Sequence, residues 1–219
     1  MVRVLVLRPE PGASVTVERA RRHGLDALAV PLFVVEPVDW RAPDPNGFEG
    51  LLLTSANAVR HGGPQLRTLR TLKVYAVGEA TARLAREAGF EIAMVGDSGV
   101  DRLVGSIDPD LRLLHLCGAD RREPQRQNIA PMIVYRSTEL GSPDLSTASG
   151  SVALIHSERA GARFAEIVGD RGSIAIAAIS QAAANAAGGG WKMVAIADQP
   201  SDDALLALAA RLCNKPDPK

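Results

Sequence analysis

Leu52-Leu53-Thr54-Ser55-Ala56-Asn57-Ala58 returns 102 residues later as Leu154-Ile155-His156-Ser157-Glu158-Arg159-Ala160. The same offset carries Val77-Gly78-Glu79-Ala80-Thr81-Ala82 onto Ile179-Ser180-Gln181-Ala182-Ala183-Ala184, Ile92-Ala93 onto Val194-Ala195, and Asp101 and Leu103 onto Asp203 and Leu205. In each copy a short apolar run ends in small polar residues and passes into a helix-compatible segment, three times in series. That order implies a parallel sheet with right-handed crossovers. Two copies of one α/β unit are therefore expected, with a crevice between two similar lobes faced by the same polar turns.

Around the repeat the pattern continues. Arg3–Arg8 is β-rich, and Ser14–His23 reads as a helix stopped by Gly24. Asp26–Val35 reads as one further strand, with Pro31 and Pro37 marking an edge strand or connector. Arg112–Leu116 resembles the opening strand in pattern, and a strand through Tyr135 and Arg136 follows it. Each half is thus two opening strands followed by three strand–helix units. Ser142–Gly150 reads as a loop, and the Lys215–Lys219 tail as disordered.

Composition excludes several classes of protein. The 219 residues are 46% hydrophobic and 23% charged, ordinary for a globular chain with a real core. With 25 basic and 25 acidic residues there is no net field to attract nucleic acid or an anionic membrane. The apolar run Val4–Leu7 is too short for a signal-peptide core or a membrane span, so the protein is expected in the cytoplasm. Cys117 and Cys213 stand apart from each other and from any His/Cys cluster, which reads as reduced thiols without a zinc or iron–sulfur site.

In open parallel sheets, ligands bind beyond the carboxyl ends of the strands. The turns there are Thr54-Ser55, Gly78-Glu79, Asp97-Ser98, Cys117-Gly118, His156-Ser157, Ser180-Gln181 and Asp198-Gln199. Their small and hydroxylated residues either cap helices or leave amide N–H groups open to an anion. Arg8 and Arg121-Arg122 follow equivalent strands and are either carboxylate contacts or solvated surface. Tyr135 either donates a proton or packs its ring. His156 is an acid–base candidate or a neighbour of a helix cap; His115 reads as core, and His23 and His61 read as surface. Gly188-Gly189-Gly190 follows a helix and reads as its C-terminal cap. Dinucleotide, P-loop, zinc-hydrolase and serine-hydrolase signatures are all missing.

Together Leu53–Val59, Ala76–Ala82, Cys117–Arg122, Val134–Ser137, His156–Ala160 with Phe164, Ile179–Gln181 and Ala197–Pro200 resemble the uroporphyrinogen-III synthase family over nearly the whole chain. The resemblance implies an α/β fold of two similar lobes with parallel sheets flanked by helices, joined by a two-stranded β-ladder. Residues 1–35 and 139–219 would form one lobe and 36–134 the other, with the ladder near 30–38 and 132–138. It implies cyclisation of the linear tetrapyrrole hydroxymethylbilane, in heme biosynthesis, by a monomeric enzyme with no metal or organic cofactor. Tyr135 matches the family's favoured proton donor and Thr81 a family hydroxyl at the crevice. Arg8, Thr54, Ser55, Gly78, Gly118, His156, Ser157, Ser180 and Gln181 would complete the substrate contacts. Two departures stand out: the turn Ser180-Gln181-Ala182-Ala183 lacks the family's frequent Thr, so a hydroxyl contact there comes from Ser180 or is absent, and the stretch between Arg122 and Met132 is short for a helix. The reading from another class is a noncatalytic two-lobed protein binding a tetrapyrrole or other polycarboxylate; a nucleotide- or carbohydrate-modifying enzyme of doubly wound fold is a further one.

Overall fold

Six helices begin just after strands, and in the repeated part their starts keep the sequence offset. The computed structural model describes residues 2–96, 99–121, 126 and 128–214. Strand β4 (Gly50–Leu53) leads into α2 (Ala56–His61), β5 (Lys73–Val77) into α3 (Glu79–Glu87), and β6 (Ile92–Gly96) into α4 (Val100–Gly105). Their counterparts are β9 (Val152–Ile155) and α5 (Glu158–Ile167), β10 (Ala175–Ala178) and α6 (Gln181–Ala187), and β11 (Met193–Ile196) and α7 (Asp202–Cys213). Each of the three later helices starts 102 residues after its counterpart. Ser55, Ser157, Ser180 and Ser201 cap α2, α5, α6 and α7, each accepting a first-turn N–H at 3.2 Å, whereas Gly78 and Gly99 precede α3 and α4 without a side-chain cap. Such a cap is worth about 1 kcal/mol.

The remaining elements are β1 (Arg3–Val6), α1 (Gly12–Arg22), β2 (Asp26–Ala29), β3 (Phe33–Pro37), β7 (Leu113–Gly118) and β8 (Ile129–Glu139). The single strand expected over Asp26–Val35 is two. Val30 and Leu32 still donate to Val6 and Leu7, at 2.9 and 3.1 Å, but Pro31 has no N–H to give. β2 and β3 accordingly belong to different sheets. The turn Asp97-Ser98, Arg122 and the Lys215–Lys219 tail lie outside the described residues.

The chain divides into two compact units, Met1–Val34 with Glu139–Lys219 and Val35–Thr138. In the first unit the sheet order is β11-β10-β9-β1-β2, with every pairing parallel. Alternation along the strands fills both faces. Leu5, Ala153, Ile155, Ile176 and Ala178 pack with Ala160, Phe164 and Ala183 of α5 and α6. Val4, Val6, Val152, Leu154 and Ala177 pack with α1 and α7 through Ala13, Val17, Leu205 and Ala209. Gly161 permits α5 and α6 to approach closely, since a Cβ there would lie 2.8 Å from the Ala183 carbonyl oxygen.

In the second unit the order is β3-β8-β7-β4-β5-β6, with parallel pairing from β8 to β6. Val38 donates to the Val134 carbonyl at 3.0 Å beside β8. Leu51, Leu53, Val74, Ala76, Leu114 and Leu116 face α2 and α3, packing with Ala58, Val59, Ala82 and Ala85. The opposite face is thinner: Leu52 and Leu113 meet Leu103, Val104 and Ile107 near α4. Among the described residues this unit has no counterpart of α1. Among the described residues, no helix is long and apolar enough to cross a membrane.

Candidate functional site

In the second unit polar groups gather in two places near the ends of β4, β7 and β8: Thr54 with His115 on the face of Leu52 and Leu113, and Tyr135 with Ser55 and His61 beside the α2–α3 cluster. β4 and β7 are neighbours with Leu52 beside His115, so Thr54 and His115 rise on the same face, each two residues beyond a packed leucine. The Thr54 hydroxyl lies 3.0 Å from His115 Nε2. His115 is fully buried. Burial first, and then the charge of Arg121, disfavours its protonated form and lowers its pKa to about 4. Near neutral pH it is an uncharged imidazole.

One strand over, Tyr135 pairs with Gly118. Its ring lies over the glycine so closely that a Cβ at residue 118 would sit 2.6 Å from a ring carbon and 3.1 Å from the phenol oxygen. His61 is a ring neighbour of the phenol, with centroids 6.2 Å apart and planes tilted by 38°. Burial pushes the Tyr135 phenol above its usual range, and nearby Cys117 and Asp120 add to that. Hydrogen bonds to the Ser55 side chain and the Gly118 backbone pull the other way without cancelling it. The phenol is therefore protonated near pH 7 and able to give a proton. Ser55 meanwhile caps α2 through Asn57.

The corresponding turn of the first unit is charged. His156 Nε2 lies 3.0 Å from Asp202 Oδ1 at the start of α7. The same oxygen accepts from the Thr16 hydroxyl at 3.0 Å and lies 3.7 Å from Arg8, while Arg19 donates to Oδ2 at 2.9 Å. Burial would raise the Asp202 carboxyl, but His156, Thr16 and Arg8 outweigh it and hold the group below the usual carboxylate range. Arg8, singled out as a ligand contact, is thus engaged within its own unit by Asp202 and by Thr16 at 3.4 Å.

The other sequence candidates are distributed over both units. Gly78 starts α3 at a φ of 80°, where a side chain would be strained, and Thr81 is buried in that helix's first turn. Ser157 and Ser180 cap α5 and α6, and Gln181 is exposed and donates to Asn185 at 2.7 Å. Gly188 caps the end of α6, its N–H on the Asn185 carbonyl at 3.0 Å. Sequence reasoning passed over His61, which is half-buried against Tyr135 and not plain surface, and over Thr16, Arg19 and Asp202. Asp202 has a visible signal, an acidic residue immediately after the cap of a helix. His61 has none, because only the approach of α2 to β8 makes it a neighbour of Tyr135. Among the described residues no three His, Cys, Asp or Glu side chains are grouped to hold a metal.

Fold and turns define a class: a two-unit α/β protein with parallel sheets whose strand ends carry hydroxyls, amides and a phenol in one unit and a His–Asp–Arg ion network in the other. Residues 14–207 match the family described as uroporphyrinogen-III synthase HemD. The uroporphyrinogen-III synthase of Chlorobaculum parvum is 29% identical over 119 residues, 50% of this chain and 48% of that protein. The chain thus spans about half the length of this relative in the match. Among solved structures, the uroporphyrinogen-III synthetase of Helicobacter pylori 26695 superposes with a TM-score of 0.67 at 20% identity, covering 97% of this chain and 100% of that one. A mutant uroporphyrinogen III synthase of Thermus thermophilus gives 0.52 at 18% identity over 98% and 100%. These two likenesses are of fold. This chain belongs to the uroporphyrinogen-III synthase family.

Proposed function

We propose that the chain closes hydroxymethylbilane to uroporphyrinogen III, with loss of water and inversion of the terminal pyrrole ring. The observation that carries this reading is the protonated Tyr135 phenol held over Gly118 among neutral hydroxyls at the strand ends, inside the stretch that matches the family. Tyr135 gives its proton to the departing hydroxyl, which leaves as water and turns the first ring into an azafulvene. The substituted carbon of the terminal ring attacks this centre and forms a spiro intermediate. Its break-up and reclosure at the free carbon invert the ring, and a proton equivalent to the one given by Tyr135 is lost at the end.

Because the azafulvene also cyclises unaided to the wrong isomer, the protein's main work is positioning. Thr54, Ser55, Gly78, Thr81 and Gly118, at the strand ends and helix starts of the second unit, are proposed to contact acetate and propionate groups. Amide N–H groups at helix starts suit such carboxylates. Catalysis of this kind asks for neither a metal nor an organic cofactor. We place the protein in the cytoplasm as a monomer acting in heme biosynthesis; the balanced charge supports the absence of nucleic acid and membrane partners.

The test is to supply freshly made hydroxymethylbilane and separate the porphyrin isomers after oxidation. Isomer III forming well above the spontaneous rate is expected. Isomer I alone, at the spontaneous rate, would overturn the reading and leave a noncatalytic tetrapyrrole-binding protein.

A further inference from the structure

His115 stands out on β7 because its neighbours along the strand, Leu113, Leu114, Leu116 and Cys117, are all apolar and buried as it is. Its Nε2 meets the Thr54 hydroxyl at 3.0 Å, and among the described residues its buried Nδ1 has no hydrogen-bond partner. A neutral imidazole carries one N–H and one lone pair. Placing the N–H on Nδ1 would bury an unmatched donor, whereas placing it on Nε2 leaves only a lone pair unmatched, and orphaned N–H groups are the rarer of the two in folded proteins. The tautomer follows: Nε2–H donates to Thr54 Oγ1. The threonine hydroxyl, already an acceptor, then directs its own hydrogen elsewhere. Thr54 is only half-buried, and among the described residues that hydrogen has no other partner.

We infer that His115 is a positioning residue that makes Thr54 a fixed hydrogen-bond donor toward a substrate carboxylate at the end of β4. Register supports the assignment. Leu52 pairs with His115 in the second unit, and the equivalent residue of the first, Leu154, pairs with Val6. The imidazole that stands in the turn of one unit as His156 thus stands on the neighbouring strand of the other, where it cannot reach a ligand and acts through a hydroxyl. This role deepens the proposed synthase reading and rests on it.

Two measurements test it, the first without substrate. Long-range proton–nitrogen NMR of the intact protein at pH 7 should show His115 as the Nε2–H tautomer; the Nδ1–H tautomer, or a charged ring, would overturn the inference. In steady-state assays, Thr54→Val should raise KM about tenfold with kcat little changed, as for loss of one hydrogen bond to a charged group. Thr54→Ser should restore KM to within about twofold. His115→Phe should raise KM, and the double variant His115→Phe with Thr54→Val should be no worse than Thr54→Val alone. Additive losses in the double variant, or an unchanged KM in Thr54→Val, would remove the proposed coupling. Isomer III production by the unmodified protein separates this failure from failure of the synthase reading.

Discussion

The turn after β9 is tied down by charges, whereas its repeat partner after β4 is built from neutral groups. In the first, His156, Arg8 and Arg19 converge on Asp202, with Thr16 completing the carboxylate's shell. In the second, an uncharged His115 meets Thr54, and a protonated Tyr135 lies over Gly118. The difference traces to α1. It supplies Thr16 and Arg19 in the first unit, and the second has no such helix among its described residues. One repeated turn therefore serves two physical purposes: an ion network that anchors helices, and a set of hydroxyls with protons left to give.

On that contrast, removing Asp202 should be the most damaging to stability of the changes in these two turns. Asp202→Ala leaves two guanidinium groups and an imidazole without their shared partner, and should cost roughly 3 kcal/mol, read as a lower urea midpoint. A loss under about 1 kcal/mol, the range of exposed ion pairs, would show that the Asp202 network does not anchor α1 and α7. Tyr135→Phe is the complementary case. It should keep the urea midpoint yet slow isomer III formation by about 10²-fold, the low end for a general acid; unchanged turnover would take Tyr135 out of that role.

The folded-state pKa of His115 lies at about 4, below its unfolded value of 6.5, so its neutral form is favoured by folding. That contribution is complete above pH 6.5 and is lost as pH falls from 6.5 toward 4. Between pH 7 and 5 it should amount to about 2 kcal/mol, and His115→Phe should flatten this part of the stability curve. Asp202, whose carboxyl is held low, contributes stability present above its unfolded pKa and lost only in stronger acid, as pH falls through its folded value. An acid loss above pH 4 that persists unchanged in His115→Phe would assign it elsewhere. The smallest effect separates the two serine caps: Ser157→Ala should cost about 1 kcal/mol of stability with activity little changed, while Ser55→Ala should cost a similar amount and also slow turnover. Equal turnover in the two variants would show that Ser55 only caps α2.

Much of this is legible in the order of residues. The strands after residues 50, 73 and 152, and the helix starts behind Ser55, Ser157, Ser180 and Ser201, follow from local signals: apolar runs, a capping hydroxyl and a glycine. Asp26–Val35 misleads because its propensity is continuous across Pro31, while the path of the chain is not. Candidates such as Thr54, Ser55, Gly118 and Tyr135 are visible as residue types at strand ends. Their grouping is not, since it depends on β7 lying between β4 and β8.

By itself the sequence determined the repeated α/β unit, its offset and the small polar residues at each strand end, because these rest on interactions within one turn or one strand. Tertiary structure alone decided which opening strands join which repeat: β1 and β2 beside β9, β7 and β8 beside β4. That choice brings His115 to Thr54 across 61 residues and Thr16 to Asp202 across 186. Sheet register and helix packing set such meetings, and they in turn decide whether a polar turn is spent on an ion network or left able to donate.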